Sequence, residues 1–180
     1  DTGKNYHKFY KKYKNNGYKY MHDYIGTNAR MTETQAIIGI EQLKKLNNFV
    51  KKRNQNATII LNEIKKFHKC FYNFQFSKKK VQSFYRLNLI INPKYYKKFS
   101  NRNKILDDML KNNSFCQVGG CSELYLEIPI KNSVGKKTLK NAKISSDNSI
   151  SFIVDNTLLK KNVKKYSLVI NKVLSKHLLL

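Results

Sequence analysis

One short run limits what this chain can fold into. Gly26-Thr27-Asn28-Ala29-Arg30-Met31-Thr32-Glu33-Thr34-Gln35-Ala36 joins a glycine turn to a strong helix start. Thr32 and Gln35 form the S/T-x-x-E/Q pattern of a capping box, in which each side chain takes up the other residue's backbone amide. A helix is therefore expected to begin close to Thr32, and loss of the cap costs about 1 kcal/mol. Asn28 and Arg30 sit just ahead of that helix, where free backbone N–H groups and the helix dipole favour anions.

Beyond Thr32 the apolar residues fall at three-four spacing: Ala36, Ile40, Leu43, Leu46, Val50, Arg53, Ala57, Ile60, Leu61 and Ile64. Such a stripe reads as core. Asn47-Asn48 predict a break, giving a short helix over 32–44 and a longer one over 47–68. The remainder alternates strand and helix. Tyr85, Leu87, Leu89 and Ile91 share one face of a strand that ends at Asn92-Pro93. A helix starts near Ser100 and carries Ile105, Leu106, Met109 and Leu110. Phe115 to Cys121 read as a short strand running into a Gly119-Gly120 turn. Residues 130–148 read as a polar connection. Ile150, Phe152 and Val154 alternate as a further strand, and Leu159, Val163, Tyr166, Ile170, Val173 and Leu174 stripe a final helix. This order fits an α+β layer, a small sheet covered by helices. Residues 1–30 differ: tyrosines and Phe9 lie among Lys and Asn with no period. Such a segment needs a support to pack on.

Composition narrows the function. Net charge is +25, from 36 basic and 11 acidic residues. That excess favours loose, salt-sensitive adhesion to polyanions. The lysines, however, spread along the whole chain, and clusters such as Lys78-Lys79-Lys80 and Lys160-Lys161 do not share one helix face. No zinc-finger spacing, basic zipper or RNA-binding strand motif accompanies them, so nucleic acid is not the expected partner. No apolar run nears the roughly 20 residues of a spanning helix, and no signal peptide is visible. Cys70, Cys116 and Cys121 lack a metal-site spacing, and they are expected as reduced, buried or half-buried thiols of a cytoplasmic protein. No metal site is expected. His7, His22, His68 and His177 are scattered, and His68 and His177 read as surface or packing residues.

The order of residues carries further. Gly26-x-Asn28-x-Arg30-Met31-Thr32-Glu33-x-Gln35-Ala36-x-x-Gly39-x-x-Gln42-Leu43-Lys44-Lys45-Leu46, then Lys52-Arg53 and Asn56-Ala57, resembles the G-x-N-x-R-M-(S/T)-E-x-Q-A-A-I-G-x-x-Q-L segment of the DegT/DnrJ/StrS sugar aminotransferases. Asp1-Thr2-Gly3-Lys4 resembles a D-H-G-K stretch that precedes it, with Thr2 in place of His. Residues from Cys116 to Tyr125, and from Leu139 through Phe152 to Leu158, resemble the family's C-terminal domain. There Asp155-Asn156 replace a common His-Pro, and Ile37 replaces the second Ala of Q-A-A.

The resemblance implies the C-terminal part of an aspartate-aminotransferase-like (fold type I) enzyme dependent on pyridoxal 5′-phosphate (PLP). Residues 1–46 would end the large domain with a dimer-facing motif, 47–69 would be a connecting helix, and 70–180 a small α+β domain. In the family the Schiff-base lysine precedes the motif, in the large domain, so it is expected upstream of this chain, no catalytic residue is assigned here, and the piece by itself is expected to be inactive; the start at Asp1 without Met fits a C-terminal part. Asn28 is implied as a donor to the PLP phosphate of the neighbouring subunit. Arg30 is implied to meet that phosphate or a nucleotide diphosphate, or else to pair with Glu33. The implied partners are a keto nucleotide-sugar, an amino-acid donor such as glutamate, and a second subunit sharing the active sites. The implied setting is polysaccharide or secondary-metabolite sugar biosynthesis. Two alternatives remain at this stage: a PLP-dependent sugar dehydratase of the same fold, and a basic polyanion-binding module.

Overall fold

Thr32 caps a helix as its sequence demands. Its extended backbone leads into α1 (Glu33–Glu63), 31 residues long. At 1.5 Å per residue that is a rod of about 46 Å. The computed structural model describes residues 23, 24, 26, 31–76, 81–120, 123–134 and 138–180. The expected extended arm over residues 1–30 lies almost wholly outside the described residues.

Asn47 and Asn48 do not break α1, contrary to the reading of the sequence. Both are exposed, and asparagine inside a helix costs only a fraction of a kcal/mol. The helix ends at Glu63 instead, and a 3-10 segment (Lys65–Cys70) follows it. The apolar stripe is corrected too. Its second half is core, with Ala57, Ile60 and Ile64 buried, but Ile40, Leu43 and Leu46 are exposed, as are Met31, Ile37 and Ile38. Periodicity reports that a face is apolar; it does not report what covers it.

The sheet has three strands, β1 (Leu87–Ile90), β2 (Cys116–Val118) and β3 (Ser149–Phe152), in the order β1-β3-β2. Both pairings are antiparallel, with Leu87 and Cys116 each opposite Phe152. As the central strand, β3 is buried at all four positions. Leu87, Leu89 and Ile91 point into the core as the alternation predicts, but Tyr85 does not, being 76% exposed. The chain bends just before β1 at Phe84, whose φ of 39° breaks the alternation. Phe84 is held there edge-on to Phe76, with ring centroids 5.2 Å apart.

Helix α2 (Arg102–Lys111) starts at an Asn101 cap, and α5 (Lys160–His177) closes the fold. Between them the expected polar connection holds two helices, α3 (Ile128–Val134) and α4 (Lys140–Asn148). Polarity there marks helices lying largely at the surface rather than a loop: the buried residues of α4 are Ser146 and Asn148. Phe67, Ile105, Met109, Ile150, Phe152, Ile170 and Leu174 form one core with α1's second half and the sheet. No described helix is long and apolar enough to cross a membrane. Cys70 and Cys116 are free thiols, and burial pushes Cys116 up to about 12; Cys121 lies outside the described residues.

β2 approaches the start of β3 closely. A Cβ at Gly119 would meet Ser149 Cβ at 2.6 Å, and the Gly119 amide donates to Ser149 Oγ at 3.2 Å. Gly119→Ala is expected to cost about 1–3 kcal/mol by overpacking. Ile60→Ala, at a fully buried site, is expected to cost about 2–5 kcal/mol. Urea unfolding monitored by circular dichroism measures both.

Candidate functional site

Asn28 and Arg30 lie outside the described residues, so the start of α1 is what the structure contributes to that region. The capping box is formed there. Thr32 donates its amide to Gln35 Oε1 at 2.8 Å, and Gln35 donates its own to Thr32 Oγ1 at 3.3 Å. Met31 just ahead is 72% exposed. The segment from Gly26 therefore runs into a helix start fixed by two reciprocal hydrogen bonds.

A second cluster forms where the middle of α1 meets the chain before β1 and the chain after β3. Three residues of α1 build it. Asn54 Nδ2 donates to the Gln82 carbonyl at 2.5 Å and to the Val50 carbonyl at 2.8 Å. Buried Asn56 donates to the Asp155 carbonyl at 2.7 Å and the Val154 carbonyl at 3.4 Å. Arg53, one turn ahead of Asn56 and Ala57, brings a guanidinium to the Tyr85 ring, 6.0 Å from its centroid. Arg86 brings another to the same ring at 5.9 Å, within the range of a cation–π contact. Asp155 stands beside them. Its Oδ1 accepts from Thr157 Oγ1 at 2.6 Å and the Thr157 amide at 2.8 Å. These bonds, followed by the field of Arg53 and Arg86, hold its carboxyl below the usual range. Arg53 Nε and Arg86 Nη1 are buried with no acceptor.

A third cluster fixes the end of α5. His177 is buried; its Nε2 meets Asp108 Oδ2 at 2.9 Å, and its Nδ1 meets Ser100 Oγ at 2.9 Å. The residue types are those of a hydrolase triad, but the ring is turned, with Nδ1 toward the serine, and Asp108 also takes Lys176 at 2.5 Å. The Ser100 amide is spent on the Lys97 carbonyl, and the Lys97 amide on the His177 carbonyl. The cluster pins helix α5 to the 97–100 segment, which is a packing role. His68 is exposed. No group of three or more His, Cys, Asp or Glu among the described residues could hold a metal ion.

The model of the DegT/DnrJ/EryC1/StrS aminotransferase family matches residues 4–170. The chain belongs to this family. Among solved structures it is similar to an aminotransferase from Psychrobacter cryohalolentis, at 29% identity and a TM-score of 0.72, covering 98% of this chain and 47% of that one. It shares its fold with Helicobacter pylori PseC, an aminotransferase involved in the biosynthesis of pseudoaminic acid, at 22% identity and a TM-score of 0.66, covering 84% and 40%. It also shares it with an Escherichia coli GDP-4-keto-6-deoxy-D-mannose-3-dehydratase bound to hydrated PLP, at 21% identity and a TM-score of 0.64, covering 81% and 36%. The chain thus spans less than half the length of these solved relatives. Comparison with curated proteins finds no match.

Family membership makes the fold that of the fold type I PLP enzymes and the cofactor pyridoxal 5′-phosphate. Of the region implied to meet the cofactor phosphate, the described residues include the capped start of α1, which follows residues 28–30 in sequence. The DegT-family motif was legible because its spacing is contiguous. The Arg53–Arg86 cluster was not, because its members are 33 positions apart in sequence. Two basic residues followed by a Tyr-Arg step before an alternating strand is too common a pattern to point to it.

The His177 cluster sets an acid limit on stability. The hydrogen bond from Lys176, then that from His177, lowers Asp108 from 3.8 to about 2. A carboxyl lowered on folding stabilises the protein above its unfolded value, and that stability is lost as pH falls through the folded one. Asp108→Asn is expected to lower stability at pH 7 by on the order of 1 kcal/mol, since the exposed Lys176 partner is screened by solvent. It is also expected to flatten the fall between about pH 5 and pH 2. Denaturant unfolding across that range checks both.

Proposed function

We propose that this chain is the C-terminal portion of a PLP-dependent aminotransferase that moves an amino group from an amino acid, glutamate in the first instance, to a keto nucleotide-sugar in polysaccharide or secondary-metabolite sugar biosynthesis. The observation that carries this reading is the family match over residues 4–170. In it, residues 1–46 end the large domain, 47–69 connect, and 70–180 are the small domain. The enzyme is a homodimer with shared active sites, and the lysine that holds the cofactor belongs to the large domain outside this chain. The exposed apolar residues of α1, from Ile37 to Leu46, are then the face on which the large domain packs.

Bound PLP supplies the electron sink for amino transfer. What this chain contributes is binding and orientation. Asn28 donates its side-chain N–H to a phosphate oxygen of the neighbouring subunit's cofactor. Arg30 offers a planar fork suited to phosphate oxygens. The Thr32–Gln35 box holds the exit of that segment to one direction, and α1 carries the constraint into the core of the small domain.

A second reading is a sugar 3-dehydratase. Two solved 3-dehydratases share the fold at TM-scores of 0.60 and 0.64 and identities of 22% and 21%. Incubating the full-length protein with PLP, glutamate and keto nucleotide-sugars separates the readings. Equal amounts of amino-sugar and 2-oxo acid support the aminotransferase. A deoxy-sugar product supports the dehydratase, and turnover of neither overturns both.

For Asn28→Ala in the full-length enzyme, PLP affinity is expected to fall about tenfold to a hundredfold, the worth of one hydrogen bond to a charged group. The melting temperature of the apo form should barely move. Heterodimers joining wild-type subunits to subunits that lack both Asn28 and the cofactor lysine test the cross-subunit role. They are expected to need the raised PLP concentration of Asn28→Ala dimers, and half-maximal activity at a PLP concentration that saturates only wild type would refute the crossing.

A further inference from the structure

The arginines that reach into this fold are of two kinds. Arg102 is the structural kind. Its Nη1 donates to the Ser149 carbonyl at 3.1 Å and the Ser146 carbonyl at 3.3 Å, and its Nε donates to Asn103 Oδ1 at 2.7 Å. A buried guanidinium that finds its acceptors inside the protein ties elements together and asks for nothing more.

Arg53 and Arg86 are the other kind. Neither makes a hydrogen bond or an ion pair with a described residue, and each has a buried N–H nitrogen left without an acceptor, Nε in Arg53 and Nη1 in Arg86. Leaving a charged donor buried and unsatisfied costs more than leaving a neutral one, so such groups are retained where something else satisfies them. The nearby carboxylate does not serve. Asp155 turns Oδ1 to the Thr157 hydroxyl and amide, and forms an ion pair with neither arginine. Both guanidiniums instead lie near one exposed aromatic ring, that of Tyr85, at 6.0 and 5.9 Å from its centroid. Their supports are fixed: Asn54 anchors the chain before β1 to α1, and Asn56 anchors the chain after β3. Phe84, with a φ of 39°, immediately precedes the exposed Tyr85.

We infer that Arg53 and Arg86, which share the Tyr85 ring, form an anion-recognition site for a carboxylate or phosphate group of a substrate. Planar guanidinium forks match the paired oxygens of either group, and a partly dry setting strengthens each bond. The anion has two possible sources, the carboxylates of the amino-acid donor and the diphosphate of the nucleotide-sugar. The choice between them rests on the aminotransferase reading; the existence of the site does not.

The test uses the full-length protein and two probes, inorganic pyrophosphate and glutarate, titrated calorimetrically against wild type, Arg53→Gln, Arg86→Gln and the matching Lys variants. At least one probe is expected to bind wild type, and each Gln substitution should weaken it by tenfold or more. Lys should recover only part, since it keeps the charge and loses the fork. Melting temperature should hold or rise in the Gln variants, because an unsatisfied buried guanidinium is removed. In turnover, pyrophosphate as the bound probe goes with a raised KM for the nucleotide-sugar, and glutarate with a raised KM for the amino donor. Phenylglyoxal modification followed by peptide mapping keeps the question open to test if a variant does not fold: the bound probe should protect both arginines in the wild type. Binding of neither probe, affinities within twofold of wild type in both Gln variants, or no protection would overturn the site, even in an active aminotransferase. Arginine-dependent probe binding in a protein without transaminase activity would instead keep the site and overturn the proposed function.

Discussion

The Asn56 side chain is the interaction on which the arrangement turns. It is buried, and it spends its amide donors on two successive carbonyls at the end of the sheet, those of Val154 and Asp155. That fixes the rotation and height of α1 against β3. With α1 fixed, Ala57, Ile60 and Ile64 fill the core. Asn171 of α5 closes on the far end, donating to the Glu63 carbonyl at 3.0 Å. The first half of the helix then projects past the core with its apolar side chains exposed. One rod thus has two halves: the C-terminal half is part of the core, and the N-terminal half carries the family's signature with its apolar side chains exposed.

The same rod explains why the arginine cluster sits where it does. Arg53 is three residues before Asn56, so the clamp that orders the core also places the guanidinium. Hydrophobic burial alone would tolerate many residues at position 53, since it is only half-buried. A charged group kept there with a buried, unsatisfied nitrogen is a local inconsistency in an otherwise satisfied region, and such inconsistencies concentrate at functional sites.

How much was legible in the sequence follows from where the signals lie. The capping box, the alternation of β1 from Leu87 on, the helix start near Ser100 and the stripe of α5 from Val163 on are local patterns with local causes, and the structure has them, whereas Leu159 is exposed just ahead of α5. Asn47-Asn48 misled because asparagine's preference for turns is weak beside the cooperativity of a long helix. Polarity over 130–148 predicts a connection, but surface helices are polar too, so α3 and α4 leave no apolar stripe to mark them. Tyr85 was placed in a strand because alternation continues through it on paper, while a single positive φ at Phe84 reverses its face. The exposed half of α1 has the same spacing as a core stripe, because periodicity marks an apolar face and is silent on what covers it. Asn28 and Arg30 rest on family resemblance, and Arg53 with Arg86 needed coordinates to be seen together at all.

The central claim is that α1 joins the small domain's core to a surface supplied by the rest of the enzyme. Hydrogen exchange along α1 in the full-length protein tests it most directly. Exchange of an amide reports how often its surroundings open, and a solvent-exposed half-helix opens more easily than one packed on both sides. Protection of residues 36–46 close to that of residues 56–63 is the expected result. Rapid exchange over 36–46 beside slow exchange over 56–63 would show the apolar half to be uncovered in the intact enzyme, and would contradict the claim.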